Sequence, residues 1–157
     1  MSFIDWPGEL RIGVAELDRE HEQLVRIIND LHDVASSAQH GRDVAGVLLD
    51  LVRHTREHFQ HEEAFMARCA YSAAAEHARE HGELLVIFSH LLGAMSAEKA
   101  RLDPDTLEYI RRWLCSHIEN SDAALARFAL RDKGITAGDA PGVAEMSRTG
   151  AWPRRIP

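Results

Sequence analysis

Cysteine is scarce in this sequence, which has two among 157 residues, Cys69 and Cys115. Two thiols are too few for a disulfide framework or a zinc motif of the kind that staples small secreted domains. Aromatic residues make up only 6%. No apolar run approaches the roughly 18 residues that a membrane span requires. The opening Met1-Ser2-Phe3-Ile4-Asp5 lacks the basic stretch and apolar core of a signal peptide, so a cytoplasmic location with no membrane partner is expected. Basic charge is also short: 18 Lys and Arg against 25 Asp and Glu leave a net −7. Without a dense basic stripe, nucleic acid is not an expected partner. Histidine, by contrast, is in excess, with ten residues. A hydrophobic content of 45% over this length suits one domain with a proper core.

The apolar residues recur at spacings of three and four, the period of a helix with one buried stripe. Leu17, Leu24, Ile28, Leu31 and Ala35 form one such seam, with His21 in its gap. A second reads Val44, Leu48, Leu51, Thr55, His58, Glu62, Phe65 and Cys69. A third reads Ala74, His77, His81, Leu84, Phe88, Leu91 and Met95, and a fourth Leu107, Ile110, Leu114 and His117, with Asp122 following. The punctuation predicts an arm over about residues 1–16 and a helix over 18–38, capped by Asp18 and stopped at His40-Gly41. Further helices are predicted over 42–69, from Ser72 as N-cap to about 95–98, and from Asp103-Pro104 to Lys133-Gly134. Residues 134–157, with Gly138, Pro141, Gly142, Gly150, Pro153 and Pro157, show no helical period.

Short connections favour antiparallel neighbours. The expected fold is therefore all-α: an up-down-up-down antiparallel four-helix bundle over residues 1–133, including the N-terminal arm, followed by a non-helical C-terminal tail over 134–157. In such a bundle His21, His58, Glu62, His77, His81, His117 and Asp122 all fall at one end of one core. His54 lies four residues before His58, but Thr55 fits the seam better, so His54 is expected to flank the cluster. His61 and Glu63 are expected at the rim, and His32, His40 and His90 as ordinary helix or loop histidines. Cys69 and Cys115 are expected roughly 13 Å apart along the bundle axis, too far for a disulfide.

Seven ionisable side chains in a core demand compensation, because an unpaired buried carboxylate or imidazole costs several kcal/mol. Metal coordination supplies it. His58 with Glu62 and His77 with His81 are each four apart, so both members face one neighbour. His117 and Asp122 are five apart, about 140° round a regular helix, which predicts a widened π-like turn between them. Five imidazoles and two carboxylates exceed one tetrahedral zinc. They suit two octahedral first-row metals bridged by the carboxylates, with iron natural for a nitrogen and oxygen donor set. Two ferrous ions, two carboxylates and a hydroxide bridge sum to a single positive charge. Oxidation by dioxygen keeps that sum if the hydroxide proton passes to the bound gas, which favours reversibility.

Trp6, Gly13-Val14 and Leu17-Asp18-Arg19-Glu20-His21 resemble the opening of a bacterial hemerythrin. So do His58-Phe59-Gln60-His61-Glu62-Glu63, His77-Ala78-Arg79-Glu80-His81, and the run Trp113 to Asp122 (WLCSHIENSD). The likeness spans residues 6 to about 131, and the family's fold is a standard example of the bundle described above. It implies two iron ions with an oxo or hydroxo bridge. His77, His81 and His117 would hold one and His21 with His58 the other, while Glu62 and Asp122 bridge. It also implies that Leu24, Phe59, Trp113, Leu114 and Ile118 line a dioxygen pocket. The implied activity is reversible dioxygen binding rather than catalysis, for storage, for delivery to an oxygen-using enzyme, or for sensing. Alternatives are a di-iron redox enzyme acting on peroxide or nitric oxide, and iron handling; nitric oxide is a second candidate ligand in any case. A site enclosed within one chain is consistent with a monomer. Trp152 is a candidate anchor for the tail.

Overall fold

A computed structural model of the chain describes residues 2–6, 10–37, 42–95 and 102–132. Among them the chain forms helices α1 (Ala15–Ser36), α2 (Arg42–Cys69), α3 (Ala74–Met95) and α4 (Pro104–His117). A π-helical turn, Ile118–Asp122, runs from α4 straight into α5 (Ala123–Asp132). The backbone is right-handed helical at both joins, so α4, the π turn and α5 make one continuous rod. The result is a four-helix bundle in which α1 packs on α2 and α2 on α3. The seam residues of the early part of α1, the late part of α2 and the early part of α3 meet those of the π turn, so successive rods run antiparallel.

The seams face inward as their period requires, with only Ala35, Ala74, Leu91 and Met95, near the helix ends, left half-buried. All eight positions named on α2 are inside, from Val44 to Cys69, as are Leu17, His21, Leu24, Ile28 and Leu31 on α1. After the π turn the seam resumes at Leu125 and Ala129, both fully buried, while Phe128 is half-buried against Tyr71. The apolar interior falls into two clusters. The larger includes Leu24, Ile28, Leu31, Leu48, Leu51, Phe88 and Ile110. The smaller comprises Val14, Leu17, Phe65, Met66, Cys69, Leu125, Ala126 and Ala129.

Helix ends test the expected caps. α1 begins at Ala15, three residues ahead of the expected start, and its N-cap is Val14. Asp18 is therefore not the cap. It sits in the first turn, where its carboxylate accepts from the amides of Ile12 at 2.8 Å and Gly13 at 3.1 Å and so fastens the arm. Gly13 has φ 88°, a conformation that favours glycine. α2 ends at Cys69 as expected, through a Schellman motif: the amide of Tyr71 donates to the carbonyl of Met66, and that of Ala70 to Ala67. Ala70 holds the left-handed position, φ 52°, that glycine usually fills. α3 starts at Ala74, two residues after Ser72, and its first amides donate to the backbone carbonyls of Tyr71 and Ala73. Asp103 caps α4, accepting from the Thr106 amide at 2.8 Å, with Pro104 next in the first turn.

The arm is tied down at two further points. Asn29 pairs with both backbone groups of Ile4, at 2.8 and 3.0 Å, and His32 stacks on Phe3 at 4.3 Å. His32 is thus more than an ordinary helix histidine. Cys69 is buried, its thiol directed at the Met66 carbonyl, and no disulfide joins it to half-buried Cys115. Among the described residues no helix is long and apolar enough to cross a membrane. The expected stops at His40-Gly41 and Lys133-Gly134, and the tail with Trp152, lie outside the described residues.

Candidate metal centre

All four rods contribute to one buried polar layer. His21 comes from α1, His58 and Glu62 from α2, His77 and His81 from α3, His117 from the end of α4 and Asp122 from the end of the π turn. Their burial is nearly complete, from 0% exposure for His21, Glu62 and Asp122 to 5% for His117. The α-helical pairs face inward because four residues advance a helix by about 40° beyond a full turn. The pair five apart faces inward because the helix widens: the Ala123 amide reaches back five residues to the Ile118 carbonyl. Asn120, exposed on the outside of that turn, donates from its side chain to the Ser116 carbonyl at 2.7 Å, where the backbone ladder lengthens.

The donor atoms form two sets that share a member. Glu62, His77, His81 and His117 make one, and His21, His58, Glu62 and Asp122 the other, with the donor atoms of each set within 4.8 Å of one another. In the first, His117 Nε2 lies 3.1 Å from His77 Nε2 and 3.2 Å from His81 Nε2. Asp122 faces both sets, its Oδ1 3.1 Å from His77 Nε2 and 3.0 Å from His117 Nε2, and its Oδ2 3.0 Å from His21 Nε2. Glu62 Oε2 lies 3.1, 3.4 and 3.8 Å from the Nε2 atoms of His81, His77 and His58.

Outer carboxylates fix which nitrogen carries the proton. His58 Nδ1 donates to Glu20 at 2.8 Å, His81 Nδ1 to Glu63 at 3.0 Å, and His117 Nδ1 to Glu80 at 2.8 Å. A carboxylate can only accept there, so Nε2 of each ring turns a lone pair to the interior. Burial alone would raise Glu20 and Glu80, but hydrogen bonds from His58 and His61, and from Ser121 and His117, hold both below the ordinary glutamate value. Burial and the Asp122 charge push Glu62 up, yet the imidazoles of His77, His81 and His58 outweigh them and hold it at about 2. Asp122 is held well below its ordinary value, against burial, by the imidazoles of His117, His21 and His77. Burial opposes a proton on His77, and the two carboxylates override it, raising His77 to about 10. His58 is raised as well, against burial, by Glu20, Glu62 and Asp122.

These residues fit cations, and the orphaned atoms show it. Both oxygens of Glu62, both oxygens of Asp122, both nitrogens of His21 and Nδ1 of His77 are buried without a hydrogen bond. The nitrogen–oxygen approaches at Glu62 and Asp122 are close, yet none of them makes a hydrogen bond. Lone pairs crowd one another across gaps of about 3 Å, which a protein does not tolerate without a positive charge between them. Ligands sharing one ion lie about 3.0–3.4 Å apart for bonds of about 2.1 Å, and the imidazole spacings above fall in that range.

The seven residues expected as ligands are therefore brought together. Leu24, Phe59, Leu114 and Ile118 are buried in the larger apolar cluster, and half-buried Trp113 packs against it. Phe59 stacks on His81 with ring centres 3.7 Å apart, and Trp113 on His117 at 4.5 Å. His54 bonds to the Asp50 carbonyl of its own helix, and seam residue Thr55 is buried in its place. His61 and Glu63 stand at the rim as expected, and from there they act on the buried layer. Both are partly exposed, yet Glu63 orients His81, and His61 donates to the other oxygen of Glu20 at 2.6 Å. The outer carboxylates escaped the sequence reading. Their signal is adjacency: Glu20, Glu63 and Glu80 each stand one residue from a ligand, which aims them at the next rod.

A family model described as the hemerythrin HHE cation binding domain matches residues 12–129. A bacteriohemerythrin of Methylococcus capsulatus is 31% identical over 124 residues, covering 78% of this chain and 93% of the relative. One from Pseudomonas aeruginosa is 30% identical over 125 residues, covering 78% and 79%. A myohemerythrin of Riftia pachyptila is 32% identical over 117 residues, covering 74% and 86%. Among solved structures, a wild-type hemerythrin superposes with a TM-score of 0.76 at 27% identity, covering 80% of this chain and 97% of that one.

Proposed function

The chain belongs to the hemerythrin family, and on that premise we propose that it binds dioxygen reversibly at a non-haem di-iron centre. The observation that carries this reading is the pair of overlapping ligand sets joined at Glu62, with five imidazoles and only two carboxylates. His77, His81 and His117 would hold one iron and His21 with His58 the other, with Glu62 and Asp122 shared between them. When bound, two ferrous ions supply the electrons that dioxygen takes up and returns on release.

The chain's own residues make that exchange reversible. Nitrogen-rich ligation favours holding the gas over cleaving it, whereas the carboxylate-rich sets of di-iron oxidases favour higher-valent iron. Glu20, Glu63 and Glu80 keep three rings in the ligating tautomer, so little rearrangement accompanies binding. Leu24, Phe59, Trp113, Leu114 and Ile118 form an apolar wall that keeps water and protons from the gas. Storage, delivery or sensing follows from such an activity.

The test is anaerobic loading with Fe(II), then repeated admission and removal of air. A visible charge-transfer band that comes and goes over many cycles is the expected result. Prompt one-way oxidation, with turnover of added peroxide, would replace the carrier reading with an enzymatic one.

A further inference from the structure

We propose that Ser121 is a positioning residue that acts through Glu80 to hold the π turn, and with it the relative placement of His117 and Asp122. The inference rests on the metal-centre reading above. One oxygen of Glu80, on α3, accepts two hydrogen bonds from the fourth rod: the Ser121 hydroxyl at 2.7 Å and His117 Nδ1 at 2.8 Å. His117 immediately precedes the π turn and Ser121 is its fourth residue. A single atom of the neighbouring rod thus pins both ends of the widened segment. Ser121 is also the residue before Asp122, so fixing its side chain fixes the backbone from which the carboxylate projects.

A serine within a helix ordinarily bonds to a carbonyl of its own preceding turn. Ser89 does so in α3, donating to Leu85 at 2.9 Å. Ser121 instead leaves its rod for α3. The other outer carboxylates make no comparable tie. Glu20 takes two donors, both from one regular stretch of α2, and Glu63 orients His81 alone. The cross-rod tie therefore sits at the one place among the described residues where the ligand spacing departs from the α-helical repeat.

The test compares the full-length protein with Ser121→Ala and Ser121→Thr, each stripped of metal and titrated with Co(II) in the absence of oxygen. Three readouts apply: the number of ions bound with their affinities by chelator competition, the visible ligand-field bands, and amide exchange over residues 118–123 in the metal-free form. Ser121→Ala is expected to keep its helix content, weaken Co(II) by ten- to a hundredfold, the usual consequence of losing an outer-sphere partner, shift the bands and speed exchange in the turn. Ser121→Thr, which retains the hydroxyl, is expected to restore all three. Affinity, spectrum and exchange unchanged in Ser121→Ala would overturn the proposal, and so would a loss that Ser121→Thr fails to rescue. A wild-type protein that takes up no Co(II) would defeat the metal-centre reading instead, while the exchange comparison would still decide whether Ser121 holds the turn.

Discussion

Nδ1 of His58, His81 and His117 each meets a carboxylate, whereas Nδ1 of His21 and of His77 meets none, so the five rings are not interchangeable. In the metal-free protein His77, raised to about 10, carries a second ring proton at neutral pH, and the same carboxylates draw His58 above its ordinary value. Coordination needs those nitrogens bare, so metal uptake is expected to expel protons into a weakly buffered solution, measurable by pH-stat, and affinity is expected to climb with pH. The sign for stability follows from linkage. A raised histidine stabilises the metal-free fold fully below its ordinary 6.5 and loses that contribution as pH climbs through about 10. Glu62, held at about 2, contributes above its ordinary 4.5 and ceases to as pH falls through about 2. Thermal melts across pH should therefore show the metal-free protein weakening at both extremes. His77→Ala or His117→Ala is expected to lose metal and, in metal-supplied protein, to lower Tm, because binding energy is folding energy here. Ala70→Gly, away from the site, relieves a left-handed alanine at the end of α2 and is expected to stabilise by about 1 kcal/mol in denaturant titrations.

The helices were legible as elements because their seams were. Thr55, His58 and Glu62 sit where the period demands a buried residue, and all three are buried. The π turn was legible from one arithmetic conflict, the five-residue step from His117 to Asp122. Starts were less so. Asp18 and Ser72 are good capping residues by type, but the Asp18 carboxylate is taken by the amides of Ile12 and Gly13, a contact that depends on the arm folding back. Glu20, Glu63, Glu80 and Ser121 were invisible for a related reason: their partners lie on other rods, 18 to 41 residues away. The π turn also makes a prediction at this scale. If it is one residue inserted into an α-helix, deleting exposed Asn120 leaves the histidine and aspartate four apart and still facing inward. The deletion variant is expected to fold and to bind two metal ions per chain by elemental analysis. Loss of one ion with an intact fold would mean that the extra residue sets the ligand geometry itself.

On the scale of the whole molecule, the ligand layer is flanked by two apolar clusters of unequal size, the smaller built around Val14, Phe65, Met66, Leu125 and Ala129. In the metal-free protein the proton on His77 offsets the two buried carboxylates only in part, so the layer joins those clusters less firmly than bridging cations would. Removing the metal is therefore expected to do more than lower Tm. Amides around the smaller cluster are expected to exchange sooner than those around Leu31, Leu48 and Phe88, whereas with metal restored the two regions are expected to exchange together. On that outcome, cooperativity in this chain is conferred by an inorganic component: emptied, it melts as two loosely joined parts, and filled, as one.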